Sequence, residues 1–224
     1  MTTASSYLRF WKCLMVMPIG TALLTRPLLA GGPPSNLKLT VQVYNSASVA
    51  PGTLIAAEDE GARIFREMGI AVRWLNCPLT ISEAAANPIC IAPVPPSRIA
   101  VRITSEMPAN LAESSLGVAF TETGIYVTIY YPRVEEYAKE GIANHSQILG
   151  HAIAHEMGHM LLGPVPHSRF GIMRGAWTAE DLRNIAMGAF LFKPYQSVLI
   201  RQAAMRRMQG EKASAPALPL VGQY

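Results

Sequence analysis

Apolar positions along this chain recur with two periods, and each period marks elements. Residues 37–44 (LKLTVQVY) alternate apolar and polar, as do Ile99, Val101 and Ile103 and the stretch Ile125 to Tyr131. A period of two predicts strands. Ile70 to Leu75 and Leu116 to Phe120 read as two further short strands. Between the first two, Leu54, Ala57, Ile64, Phe65 and Met68 fall near helical spacing within Thr53 to Met68, and Gly69 ends the run. The stretch 76–97, rich in proline, reads as a loop, and 133–141 as a helical turn.

A second helix has clear ends. Asn144 stands three residues before Gln147, a variant of the capping box, and Gly163-Pro164 is a stop signal. From Gln147 to Leu162 the chain is apolar or small apart from its histidines and Glu156, the composition of a buried helix. Further on, Thr178 with Asp181 predicts another cap, and Lys193-Pro194 opens a last helix to about Met208. The order β-α-β-β-β-β-α, then loop and helices, predicts an α+β domain. Its mixed, twisted sheet is backed by a helix, with the histidine-bearing helix beneath and a small C-terminal helical part.

Length bounds this picture to one domain. The chain has 224 residues, half of them hydrophobic and 15% charged, enough for a substantial core. The expected division is a leader over 1–30, the domain over 31–209 and a loose tail over 210–224, with no internal repeat. Arg9 and Lys12 precede an apolar segment from Cys13 to Leu24, and Leu28-Leu29-Ala30 offers a cleavage site. That segment is short of the ~20 residues a bilayer span needs, and Pro18 and Gly20 interrupt it. A secreted or periplasmic protein with no lasting membrane span is expected, and no cysteine stands after the cleavage point to carry a lipid; the alternative is an uncleaved anchor.

Removal of the leader takes Cys13 with it and leaves Cys77 and Cys90. An even pair in an exported chain predicts one disulfide, contributing roughly 3 kcal/mol on the loop-entropy model. The alternative is two buried free thiols. Net charge is +4 and several basic residues lie at the ends (Arg9, Lys12, Arg201, Arg206, Arg207, Lys212), with no basic stripe interleaved with aromatics. Nucleic acid is therefore not an expected partner. A monomer is the expected state.

The chemistry concentrates in residues 155–167, HEMGHMLLGPVPH. Residues four apart on a helix are rotated by roughly 40° and displaced by about 6 Å, so His155 and His159 share one face and can converge on one ion. Glu156, beside the first histidine, reaches a metal-bound water without being a ligand. His-Glu-x-x-His is the helical zinc-hydrolase signature for that reason. The bend at Gly163 lets the chain return His167 as a third ligand, with Glu180 or Asp181 as the competing third donor.

The element order, this helix, the glycine bend, the later histidine and the following Gly171-Ile172-Met173 resemble the metzincin side of the zincin metallopeptidases. The resemblance spans roughly residues 37–180 and is specific over 155–173. It implies one Zn2+ per chain held by His155, His159 and His167, Glu156 as general base, and Met173 in a tight turn beneath the metal. Ser168 resembles the matrixin branch, and Leu116-Gly117-Val118-Ala119 its substrate edge strand, so Gly117, Val118 and Ala119 become candidate substrate contacts. The family spacing is HExxHxxGxxH, whereas this chain reads HExxHxxxGxxxH, with a longer bend. No cysteine motif of the kind that keeps matrixin precursors latent is present.

The function so implied is a secreted zinc metalloendopeptidase acting on peptide or protein substrates, with Glu156 activating the zinc-bound water. The alternative is an exported zincin-fold protein that binds metal or a partner without catalysis. His151 is expected to pack or to support a ligand rather than bind metal. His145 is expected at the helix start, and Trp177 in the core. Tyr126, Tyr130 and Tyr131 are expected in sheet packing.

Overall fold

The computed structural model describes residues 37–112, 114–164 and 167–214. The leader, the Gly-Gly-Pro-Pro-Ser stretch after it and residues 215–224 lie outside the described residues. In chain order the elements are β1 (Lys38–Asn45), α1 (Pro51–Glu67), β2 (Ala71–Asn76), α2 (Ile81–Ala84), α3 (Pro88–Ile91), β3 (Arg98–Thr104), β4 (Gly117–Ala119) and β5 (Tyr126–Tyr130). There follow α4 (Tyr131–Ala138), α5 (His145–Leu162), α6 (Ala179–Ala186) and α7 (Pro194–Ser214).

The strands form one five-stranded sheet in the order β2-β1-β3-β5-β4. Four run parallel, and β4 closes the edge antiparallel to β5, with Gly117 opposite Ile129 and Ala119 opposite Val127. Parallel strands are buried on both faces and need crossover connections, so the central ones are the most apolar. Leu39, Val41 and Val43 of β1, with Ile99, Val101 and Ile103 of β3, join one core cluster with Ile64 and Phe65 of α1 and Ile148, Leu149 and Ile153 of α5. The expected α+β arrangement of a mixed sheet with a backing helix and a histidine helix is the one observed.

Helix α5 starts as its sequence dictates. The Asn144 side chain accepts from the Gln147 N–H at 2.9 Å, and the Gln147 side chain accepts from the Asn144 N–H at 3.1 Å. It ends at Gly163, whose φ of +81° suits only a residue without Cβ. From Ile148 to Gly158 every residue is buried, which explains the lack of a polar stripe on this helix.

Several local expectations change. The stretch 76–97 holds two helical turns, α2 and α3, where a loop was expected. Thr80 caps α2 and Pro88 opens α3, signals that four-residue helices leave too short to read as periodicity. The Cys77–Cys90 disulfide joins the start of this segment to α3, with Cα atoms 5.4 Å apart. The segment lies over the outer sheet face, where the buried Gln42 donates to the Ile89 carbonyl at 3.0 Å. Tyr131 begins α4 rather than continuing the strand, and Tyr126 is exposed instead of packed, whereas Tyr130 is buried. α7 runs to Ser214, so residues 210–214 continue a helix where a tail was expected. Among the described residues, no helix is long and apolar enough to cross a membrane.

Candidate metal centre

α5 carries His155 and His159 one turn apart, and both rings face the cleft beside β4. The segment after Gly163 returns His167 to them. Nε2 of His159 lies 3.2 Å from Nε2 of His155 and 3.2 Å from Nε2 of His167, and one nitrogen from each ring falls within 4.8 Å of the others. Four donors around zinc at 2.0–2.1 Å stand about 3.3–3.4 Å apart in a tetrahedron, so this spacing fits a zinc cradle. Three imidazoles with an open fourth position are the donor set of a catalytic rather than a structural zinc site.

The turn below the site fixes the first ring. Nδ1 of His155 donates to the Ile172 carbonyl at 2.6 Å, which leaves its Nε2 lone pair directed into the cradle. Gly171 to Arg174 forms the tight turn, closed by Arg174 N–H to the Gly171 carbonyl at 2.9 Å. Met173 is buried beneath it against Gly158, where an added Cβ would lie 2.5 Å from the Met173 sulfur. The same turn steadies the third histidine, because the Ser168 N–H donates to the Met173 carbonyl at 2.8 Å. The longer bend therefore still returns its histidine to the other two.

Asp181, the competing donor, is engaged elsewhere. Its carboxylate accepts from the Thr178 N–H at 2.8 Å in the α6 cap and pairs with Arg174 at 3.1 Å. Glu180 lies in the first turn of α6, outside the histidine cluster. His151 is buried, with Nδ1 at 2.8 Å from the Gln147 carbonyl and 3.6 Å from the Glu60 carboxylate, and it packs under Trp177 and Phe190. Trp177 in turn meets the His155 ring edge-on, so it is both core and floor of the site. His145 is the first residue of α5.

Glu156 is buried beside the cradle, on the β4 side. A Cβ on Gly117 would stand 2.8 Å from Cγ of Glu156, so the bare strand makes room for this side chain. Tyr130 lies close enough for the Glu156 charge to add to burial in raising its pKa. The three histidines, Glu156, the β4 strand and Pro164, Gly175 and Trp177 line one cleft of about 410 Å³.

One glycine here, Gly175, was not expected at the site, and Gly117, expected as a substrate contact, also makes room for Glu156. Gly175 faces the third histidine, and a Cβ there would lie 2.7 Å from Nδ1 of His167 and 2.9 Å from its Cγ. Gly175→Ala is expected to push the His167 ring out of the cradle and weaken metal binding by the 10–100-fold that loss of a supporting group costs. Competition with a chelating indicator measures it, and wild-type affinity would show that the ring tolerates the methyl group.

Burial gives the metal-free site an unusual titration. It pushes His155 down to about 3 and His159 to about 4, and pushes Glu156 up to about 8. Below the ordinary histidine value near 6.5, the unfolded chain takes up protons that the folded histidines refuse, so stability falls as pH drops. Between 4.5 and about 8, folded Glu156 keeps a proton that the unfolded chain has released, so its contribution is lost as pH rises. Among these three groups, the two histidines outweigh the carboxyl below about 6.5, and the carboxyl dominates above it. Their joint contribution to the melting temperature of the metal-free protein should therefore peak near that value. Glu156→Gln should flatten the alkaline limb, and an alkaline limb unchanged in that variant would contradict the assignment.

No family model matches the chain, and no curated protein matches it. Among solved structures, a zinc-dependent peptidase from Methanocorpusculum labreanum is similar at 14% identity and a TM-score of 0.49, over 71% of this chain and 99% of its own. An archaemetzincin from Methanopyrus kandleri is similar at 13% identity and a TM-score of 0.52, over 77% of this chain and 99% of its own. The second likeness is one of architecture, and with the histidine helix and the turn beneath it, it gives this chain a zincin fold of the metzincin kind.

Proposed function

We propose that the protein is a zinc-dependent metalloendopeptidase, exported by its N-terminal leader, that cleaves peptide or protein substrates. The observation that carries this reading is the pairing of the three convergent imidazoles with a buried carboxylate that is not one of them. Zinc held by His155, His159 and His167 would supply Lewis acidity toward a peptide carbonyl and ease deprotonation of water.

The chain's own residues do the rest. Glu156 takes a proton from the attacking water and passes it to the leaving nitrogen. Burial alone would keep its carboxyl protonated near neutral pH, and a divalent cation in the adjacent cradle favours the charged, basic form. The Ile172 carbonyl holds His155 in the tautomer that leaves Nε2 free. β4, at the sheet edge along the cleft, offers an extended peptide a strand to pair with.

The archaemetzincin among the structural neighbours shares the architecture that carries this site, which is in keeping with the proposal. Cleavage of a broad peptide library by the zinc-loaded chain, lost on chelation and restored by zinc, tests it. No cleavage by protein shown to hold zinc would favour the non-catalytic metal-binding alternative.

A further inference from the structure

Resting on the peptidase reading, a second feature of β4 bears on which peptides the cleft accepts. The antiparallel pairing places residues 116 and 130, 118 and 128, and 120 and 126 opposite one another as the hydrogen-bonded pairs. Tyr130 N–H donates to the Leu116 carbonyl, and Phe120 N–H to the Tyr126 carbonyl, each at 2.9 Å. The pairs 117/129 and 119/127 are the alternate kind, so the backbone groups of Gly117 and Ala119 point away from β5 to the open edge. Both residues line the cleft that holds the histidines.

The two outward carbonyls already have donors from the chain itself. The Ser115 hydroxyl donates to the Gly117 carbonyl at 2.8 Å, and the Thr121 N–H donates to the Ala119 carbonyl at 3.0 Å. A substrate strand laid along this edge, in either direction, meets two N–H donors and two carbonyls that are partly satisfied. Each carbonyl keeps a second lone pair, but a second donor gains less there than at a free acceptor.

We infer that β4 is a one-sided edge that recognises an extended substrate through the substrate's carbonyl oxygens and makes little use of its N–H groups. Ser115 and the turn at Thr121 set this preference. Peptides with proline or another N-substituted residue opposite Gly117 and Ala119 are accepted as readily as ordinary ones. An ordinary two-way ladder would discriminate against them.

The test uses the zinc-loaded full chain and a matched series of oligoalanine hydroxamates, with inhibition or calorimetry reading affinity. In one member each amide N–H is replaced in turn by an ester oxygen, which deletes a donor. In another each carbonyl is reduced to methylene, which deletes an acceptor. Ester replacement should cost less than twofold at the two edge positions, and carbonyl reduction about fivefold or more, the worth of one net hydrogen bond. Ser115→Ala frees the Gly117 carbonyl. It should create an approximately fivefold preference for amide over ester opposite Gly117 alone, leave the Ala119 position unchanged, and be reversed by Ser115→Thr.

Equal fivefold losses from ester and reduced members in the wild type would overturn the one-sided edge, as would a Ser115→Ala variant with no new preference. Absence of binding by every hydroxamate to a chain shown to hold zinc would remove the peptidase reading itself, and this inference with it.

Discussion

Replacing Glu156 with glutamine is expected to lower peptide turnover by roughly 100- to 10,000-fold while zinc stays in place, the range of a lost general base. Glutamine keeps the shape of the side chain that Gly117 accommodates, so the cleft should not collapse. It removes the basic oxygen pair buried beside the cradle, and the three histidine nitrogens remain within 4.8 Å of one another to hold the metal. Parallel measurement of metal content and turnover separates the two roles. A variant with bound zinc and full activity would exclude Glu156 as the base. A variant that loses zinc would mean that the carboxylate acts as a ligand.

His159→Ala is expected to have the largest effect on the metal itself. His159 sits between the other two rings, with its Nε2 3.2 Å from each of theirs, so its loss opens the middle of the donor set. Metal affinity should fall by more than the 10–100-fold that removal of an outer partner costs, because a ligand is lost outright. The stabilisation that saturating zinc gives the wild type, which grows as RT ln(1 + [L]/Kd), should shrink accordingly and be visible as a smaller rise in melting temperature. The fold should survive, since this half-buried ring is peripheral to the apolar cluster that joins α5 to α1 and the sheet. An equal thermal shift in variant and wild type would place the metal elsewhere.

Most of this site was legible in the sequence because its signals are local. The His-Glu-x-x-His spacing, the Asn144–Gln147 box and the Gly163 stop all act within one helix, and one helix turn suffices to bring His155 and His159 together. The sheet was legible because alternation marks β1, β3 and β5, and even the short edge strand showed in Leu116-Gly117-Val118-Ala119. His167 depended on how a bend two residues longer than the family spacing would close. What steadies it is a bond to the turn that follows, Ser168 N–H to the Met173 carbonyl, which leaves no trace in residue spacing.

The same limit hid the rest. Gly117 reads as a substrate-edge residue and Gly175 carries no signal in the sequence, and only the fold shows Glu156 over one and His167 over the other. Asp181 reads both as a cap with Thr178 and as a competitor to His167, and its bond to the Thr178 N–H and its pairing with Arg174 are what occupy it. The short helices α2 and α3 escaped because four residues carry too little periodicity to distinguish from a loop. Tyr126 alternates with its neighbours as a packed residue would, yet it lies on a sheet face left open at that point, which strand pattern alone does not reveal.

The most direct test of the central claim is elemental analysis of zinc in the full-length chain purified without chelator. One tightly held zinc per chain, lost in His159→Ala and retained in Glu156→Gln, is the predicted result. No zinc in the wild type, even after reconstitution, would make the three histidines a packing cluster and contradict the metallopeptidase account.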